Sequence, residues 1–185
     1  MIIDLTTYVN KDNEVMKWSE AQVNKHIALG HVGTHLDTYN KTKIPLEYFK
    51  SNGVIFDVSN LDLIDIKDID LKVIKENDFV LFKTLHINNY GYGCKKYFDN
   101  HPQLSDELIN QLILKKIRFI GIDFPGIRQH QQHELADKLC EDNQIYVIEN
   151  LKDLDKINSD NFTVYTMWLD DEIMTGLRCK VIIEQ

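Results

Sequence analysis

Short apolar runs alternate with stretches of helical period along this chain, and that alternation restricts it to a fold of the α/β class. Met1 to Leu5, Gly53 to Val58 and Asp78 to Thr84 are each rich in Ile, Val or Phe and bounded by polar or turn residues, which predicts strands. Between the last two, Asn60 to Asn77 scatters Leu61, Leu63, Ile64, Ile66 and Ile69 among acids, the pattern of a loop with a short helix. Ser105 followed by Asp106 and Glu107 forms a helix start, because a hydroxyl and two carboxylates suit the free N–H groups of a first turn. Leu108, Ile109, Leu112 and Ile113 then make one apolar helix face, ending near Lys115-Lys116. Ile117 to Asp123 reads as a buried strand that delivers Asp123 at its carboxyl end, where open α/β sheets place functional groups. His133 to Glu141 has helical spacing in Leu135, Ala136, Leu139 and Cys140, and Ile145 to Ile148 is a buried strand ending at Glu149. Phe162 to Leu169 and Arg178 to Glu184 alternate as paired strands, with Thr175-Gly176 in the turn region between them.

At 185 residues the chain holds one core comfortably and two poorly, so residues 1–185 are expected to form a single domain. A formal charge of −8 with no Lys/Arg cluster argues against a nucleic acid or an anionic membrane as partner. Cys94, Cys140 and Cys179 are odd in number and widely spaced, which suits free thiols in a reducing compartment. No signal-peptide pattern or bilayer-length apolar run is present, and a cytoplasmic location is the expectation.

The run His31-Val32-Gly33-Thr34-His35-Leu36-Asp37 carries the chemistry. Gly33 argues against a helix through it. In an extended segment His31, Gly33, His35 and Asp37 would point the same way, with the glycine leaving room for an ion. Two imidazoles and a carboxylate suit Zn²⁺, Mn²⁺ or Fe²⁺ with a position open to water. The bland alternative makes one His a cap and Asp37 a turn residue. His133 and Glu149 have equally ordinary readings, as a first-turn helix residue and a solvated strand-end acid. His26, His101 and His130 fit ordinary surface histidines.

With His31-x-Gly-Thr-His35-x-Asp37, His133 and the segment Val147-Ile148-Glu149-Asn150-Leu151, the sequence resembles the cyclase family that includes bacterial kynurenine formamidase. Met1 to Thr6, Gly121-Ile122-Asp123 and Thr175 to Val181 resemble that family's opening strand, central strand and closing hairpin. The resemblance implies a swivelling β/β/α domain with a mixed sheet, usually a homodimer or homotetramer. It implies one or two zinc ions held by His31, His35 and Asp37, with Asp37 bridging to a second ion on His133 and Glu149 touching both. It further implies hydrolysis, by metal-activated water, of a non-peptide amide such as an aryl formamide, or of a related ester or lactone. A small-molecule binding protein that keeps the metal without catalysis is the alternative.

The motif departs from the family after Asp37. The family continues D-x-P-x-H, whose last histidine is the proposed proton donor and acceptor, whereas here Asp37-Thr38-Tyr39-Asn40-Lys41 places lysine at that position. Lys41 and His86 are therefore candidates for moving the proton, beside the alternatives of a surface or carboxylate-binding lysine and a solvated loop histidine. Tyr92 and Tyr97, with Phe98, are candidates for contact with an aromatic substrate, set against ordinary core packing.

Overall fold

A computed structural model describes residues 1–185. Its strands are β1 (Ile2–Asp4), β2 (His35–Asp37), β3 (Lys50–Asp57), β4 (Leu63–Ile64), β5 (Phe79–Lys83), β6 (Gln103–Leu104), β7 (Phe119–Ile122), β8 (Tyr146–Glu149), β9 (Phe162–Trp168) and β10 (Gly176–Glu184). Its helices are α1 (Glu14–Ala21), α2 (Lys25–Gly30), α3 (His86–Tyr90), α4 (Lys95–Phe98), α5 (Asp106–Leu114) and α6 (Gln131–Asp142). This is a mixed α/β fold. β2, β8, β7, β5, β3, β9 and β10 pair in that order, and β10 pairs back onto β2, so the sheet closes on itself. β1 lies beside the far half of β10, while β4 and β6 form a separate parallel pair. Within the closed sheet β3, β5, β7 and β8 run parallel and the remaining pairings are antiparallel.

Strand alternation divides the core into two layers. In β5, Phe79 and Leu81 enter the barrel while Val80 and Phe82 face the helices outside; in β8, Tyr146 and Ile148 enter and Val147 faces out. The inner cluster also takes Leu36, Leu177, Val181 and Ile183. The outer cluster is closed by Leu108, Ile109 and Leu112 of α5 and by Ala136 and Cys140 of α6.

Local chemistry sets the helix limits. Ser105 caps α5, its hydroxyl accepting from the Leu108 N–H at 3.0 Å. In α6 the buried face is Ala136, Asp137, Cys140 and Glu141, so of the expected apolar positions Ala136 and Cys140 pack inward while Leu135 and Leu139 are exposed. Asn60 to Asn77 contains β4 and only a three-residue 3₁₀ turn. Asp123 is likewise structural. Fully buried, it accepts from the Thr84 and Leu85 N–H groups and the Thr84 hydroxyl and so closes the end of β5. Burial pushes its pKa up to about 6 against those hydrogen bonds. All three cysteines are free, Cys140 and Cys179 buried and Cys94 exposed. No helix is long and apolar enough to cross a membrane.

Candidate metal centre

Because Leu36 and Ile148 point into the barrel, their neighbours His35, Asp37 and Glu149 point out of it, and His35 lies directly opposite Glu149 in the β2–β8 register. α6 lies over this outer face and brings His133 to it. His31 arrives differently from the expectation. The run from His31 to Asp37 is not one extended segment: His31 is the C-cap of α2, and only His35–Asp37 is strand.

Gly33 is needed for its backbone, not for space around an ion. Its φ is +79°, and an added Cβ would meet Val9 and the Thr7 carbonyl rather than the histidines. The glycines that make room for the rings are elsewhere in the chain. A Cβ on Gly176 would lie 2.7 Å from His31 Nδ1, and one on Gly126 would lie 2.6 Å from the His133 ring.

The five polar side chains converge. His31 Nδ1 lies 3.2 Å from His35 Nε2 and 3.3 Å from Asp37 Oδ1, and His35 Nε2 lies 3.6 Å from the same oxygen. The other Asp37 oxygen faces His133 Nε2 at 4.0 Å. Glu149 divides itself in the same way, Oε2 being 3.5 Å from His35 and Oε1 3.1 Å from His133. The ring nitrogens that face away are tied down. Thr175 Oγ1 is 2.8 Å from His31 Nε2, and the Gly33 carbonyl accepts from His35 Nδ1 at 3.0 Å, which leaves the opposite nitrogen of each ring turned to the cluster.

The sequence reading missed one member. Asp137, one helical turn beyond His133, is buried and places Oδ2 3.0 Å from His133 Nε2. The i, i+4 spacing from His133 on α6 is its signal, masked because the helical pattern of Leu135, Ala136, Leu139 and Cys140 leaves the buried face undecided. Both oxygens of Asp37, both of Asp137 and Oε1 of Glu149 are buried without a hydrogen-bond donor. Burial penalises every charge here, but the acids win at the histidines: Asp37 raises the His31 pKa, while Glu149, Asp137 and Asp37 raise that of His133. The Asp37 carboxyl is held low by His35, His133 and His31 in spite of its burial, whereas burial lifts Asp137 to about 8. Buried acids that draw positive charge onto their neighbours, with unpaired oxygens, fit a divalent cation as their partner.

A cavity of about 920 Å³ opens over the cluster, with His31, His35, His133 and Glu149 on its floor and Trp18, Tyr39 and Phe98 among its walls. A larger cleft of about 1150 Å³ beside β3 has no histidine in its lining.

Several expected contributors lie elsewhere. Lys41 turns away from this cavity: its ammonium donates to the carbonyls of Ile173 and Met174 and lines a separate groove with Asp170 to Glu172. His86 is buried with Nε2 bonded to the Tyr97 carbonyl at 2.7 Å, and is not part of the cavity wall. Tyr92 and Tyr97 also stand behind the wall. The Tyr92 hydroxyl accepts from the Gly33 N–H, and the Tyr97 hydroxyl donates to Asn150 Oδ1, whose amide donates to the Gly33 carbonyl. They hold the peptide that orients His35. Conversely, His101 is not a surface histidine, since it is buried and lines the cavity, while His130 is exposed as expected and also borders that cavity. His101 Nδ1 is 2.8 Å from the Pro102 carbonyl, which accepts its proton and leaves Nε2 unprotonated, and burial pushes its pKa down to about 4.

Residues 3–129 match the family model described as Putative cyclase. His133, Asp137 and Glu149 follow the matched segment. The fold as a whole is similar to a solved "potential metal-dependent hydrolase with cyclase activity", with a TM-score of 0.75 and 22% identity over 99% of this chain and 96% of that one. Isatin hydrolase A from Labrenzia aggregata, bound to benzyl benzoate, gives a TM-score of 0.78 and 19% identity over 99% and 93%. A predicted metal-dependent hydrolase from Bacillus stearothermophilus gives 0.66 and 20% over 99% and 97%. No curated protein matches the chain.

Proposed function

The chain belongs to the cyclase family, and we propose that it is a metal-dependent hydrolase of a non-peptide amide, of the aryl formamide kind, or of a related ester or lactone. The observation that carries this reading is the convergence of His31, His35, Asp37, His133 and Glu149 at one open cavity, whose floor carries all of them but the fully buried Asp37, with buried carboxylate oxygens that no protein donor satisfies. Solved structures named as metal-dependent hydrolases and isatin hydrolases share the fold, and isatin is itself a cyclic amide.

A zinc or manganese ion held by these residues supplies Lewis acidity toward a carbonyl oxygen and lowers the pKa of water toward neutrality. The protein's own part is to fix the ligands and shape the pocket. The Gly33 carbonyl sets the tautomer of His35 and the Thr175 hydroxyl fixes the orientation of the His31 ring, and Asp37 and Glu149 each turn one oxygen toward His35 and the other toward His133. Trp18, Tyr39 and Phe98 offer flat apolar surface to an aromatic ring. With Lys41 withdrawn, His101, which lines the cavity with Nε2 unprotonated, is the group we assign to passing a proton to a leaving amine or alcohol, its low pKa making it a weak base but a strong acid once protonated.

The test is a panel of aryl formamides, isatin, aryl esters and lactones offered to zinc- or manganese-loaded protein beside its His35→Ala variant. Turnover that the variant loses supports the reading. Silence across the panel by protein that holds its metal would overturn it and favour a binding protein that retains the ion.

A further inference from the structure

Asp137 does not occupy the place of a residue that merely orients a metal-binding histidine. An orienting carboxylate bonds the ring nitrogen that faces away from the ion. On His133 that nitrogen is Nδ1, which lies against Gly126, where an added Cβ would come within 2.6 Å. Asp137 instead approaches Nε2, the same atom that faces Glu149 at 3.1 Å and Asp37 at 4.0 Å. Three carboxylates thus surround one imidazole nitrogen. Ligand-capable atoms of Asp37, His133, Asp137 and Glu149 all lie within 4.8 Å of one another. Asp137 is 3% exposed, and neither of its oxygens receives a protein hydrogen bond. An acid placed so deeply needs a cation or a proton beside it.

Given the reading of this cluster as a metal centre, we propose that Asp137 is a direct ligand of a second cation, which it holds together with Asp37, His133 and Glu149. The two positions share Asp37 and differ in chemistry. His31, His35 and Asp37 offer two nitrogens and one oxygen donor, a set suited to zinc. Asp37, His133, Asp137 and Glu149 offer one nitrogen and three carboxylates, a harder and more negative set that favours an oxygen-preferring ion such as Mn²⁺. The second position therefore has a Mn²⁺-to-Zn²⁺ affinity ratio higher than the first.

The experiment titrates metal-stripped full-length protein with Zn²⁺ and then Mn²⁺, following heat by calorimetry and free Mn²⁺ by its electron paramagnetic resonance signal. Wild type is expected to take one equivalent of Zn²⁺ tightly and then one equivalent of Mn²⁺. Asp137→Ala should weaken the Mn²⁺ step by more than about tenfold while leaving the first Zn²⁺ step in place. Asp137→Asn, which keeps the shape and one neutral oxygen, should fall between the two, with circular dichroism confirming its fold. His31→Ala should do the reverse, weakening the Zn²⁺ step and sparing the Mn²⁺ step. A wild type that stops at one equivalent, or a folded Asp137 variant that keeps full Mn²⁺ affinity, overturns the assignment and leaves the hydrolase reading standing on the first position. Protein that takes up no ion overturns both.

Discussion

Replacing Gly176 by alanine should cripple metal binding through His31 without touching a ligand. Gly176 opens β10 opposite Asp37 and faces the cluster. The added Cβ would come 2.7 Å from His31 Nδ1 and 2.9 Å from Cγ and Cε1, whereas such atoms rest about 3.5 Å apart or more. The ring must yield by roughly 0.7 Å or more, and ligand distances tolerate only about 0.2 Å. It has little freedom to turn in place, because Thr175 Oγ1 bonds Nε2 and α2 ends at this residue. The expected loss is about 10- to 100-fold in affinity for the first ion, or about 1.4–2.8 kcal/mol, measured by competition with a chromophoric chelator. The backbone at Gly176 is not in the left-handed region, so backbone strain adds nothing to the steric effect on the His31 ring. A cycle with His31→Ala isolates the cause: on that background Gly176→Ala should cost nothing further. Unchanged affinity in the single variant, or an equal loss with and without His31, would refute the steric reasoning.

Glu141→Ala should destabilise the fold by about 2–5 kcal/mol in urea unfolding, because the buried carboxylate accepts from the N–H groups of Asn40 and Thr42 and the hydroxyls of Thr38 and Thr42, and alanine strands the two amides; a cost under about 1 kcal/mol would show that water replaces it. His101 gives an acid-dependent penalty. Its folded pKa of about 4 lies below the unfolded value near 6.5, so its contribution is complete above pH 6.5 and is lost as pH falls toward 4, by at most about 3 kcal/mol. Asp123, raised to about 6, acts in the opposite sense over part of that range. The comparison of wild type with His101→Gln cancels this shared effect and should show stability falling more steeply with acid in wild type; parallel pH curves would exclude the burial argument. The same variant should lose turnover while keeping metal affinity, and a loss of both would assign His101 a structural role. Finally, Zn²⁺ or Mn²⁺ at about a thousand times its dissociation constant should stabilise the protein by about 4 kcal/mol, reversibly removed by a chelator, and an unfolding midpoint indifferent to both would argue against a cation among Asp37, Asp137 and Glu149.

Strands such as Phe79–Lys83 and Phe119–Ile122 were legible because their residues are apolar on both faces, and α5 because Ser105 and the acids after it mark its start. The face of α6 was not. Leu135 and Leu139 satisfy helical spacing as well as Ala136 and Cys140 do, and only packing against β8 chooses between them. That choice carried Asp137 inward. Local spacing likewise could not place Lys41, whose φ is +59° in a loop gathered by Glu141, nor show that Gly176 clears the space for the ring of His31 and Gly126 that for the ring of His133. His101 looked ordinary because its partner is a backbone carbonyl, which leaves no side-chain pattern to read.

The motif residues became a site because the barrel fixes a register. Leu36 and Ile148 pair across β2 and β8 and both belong to the inner core, so slipping either strand by one residue would expose a leucine or isoleucine and bury a charged group in its place. The free energy of core burial thereby holds His35 opposite Glu149, and the antiparallel pairing of β2 with β10 sets Gly176 beside Asp37 by the same means. Mutations that loosen the inner core at Leu36, Ile148 or Leu177 should therefore weaken metal binding more than equal losses of stability in the outer cluster at Leu108 or Leu112. Two variants matched in unfolding free energy, one from each cluster, separate the two effects: equal metal affinity in the pair would show that the centre does not depend on this register.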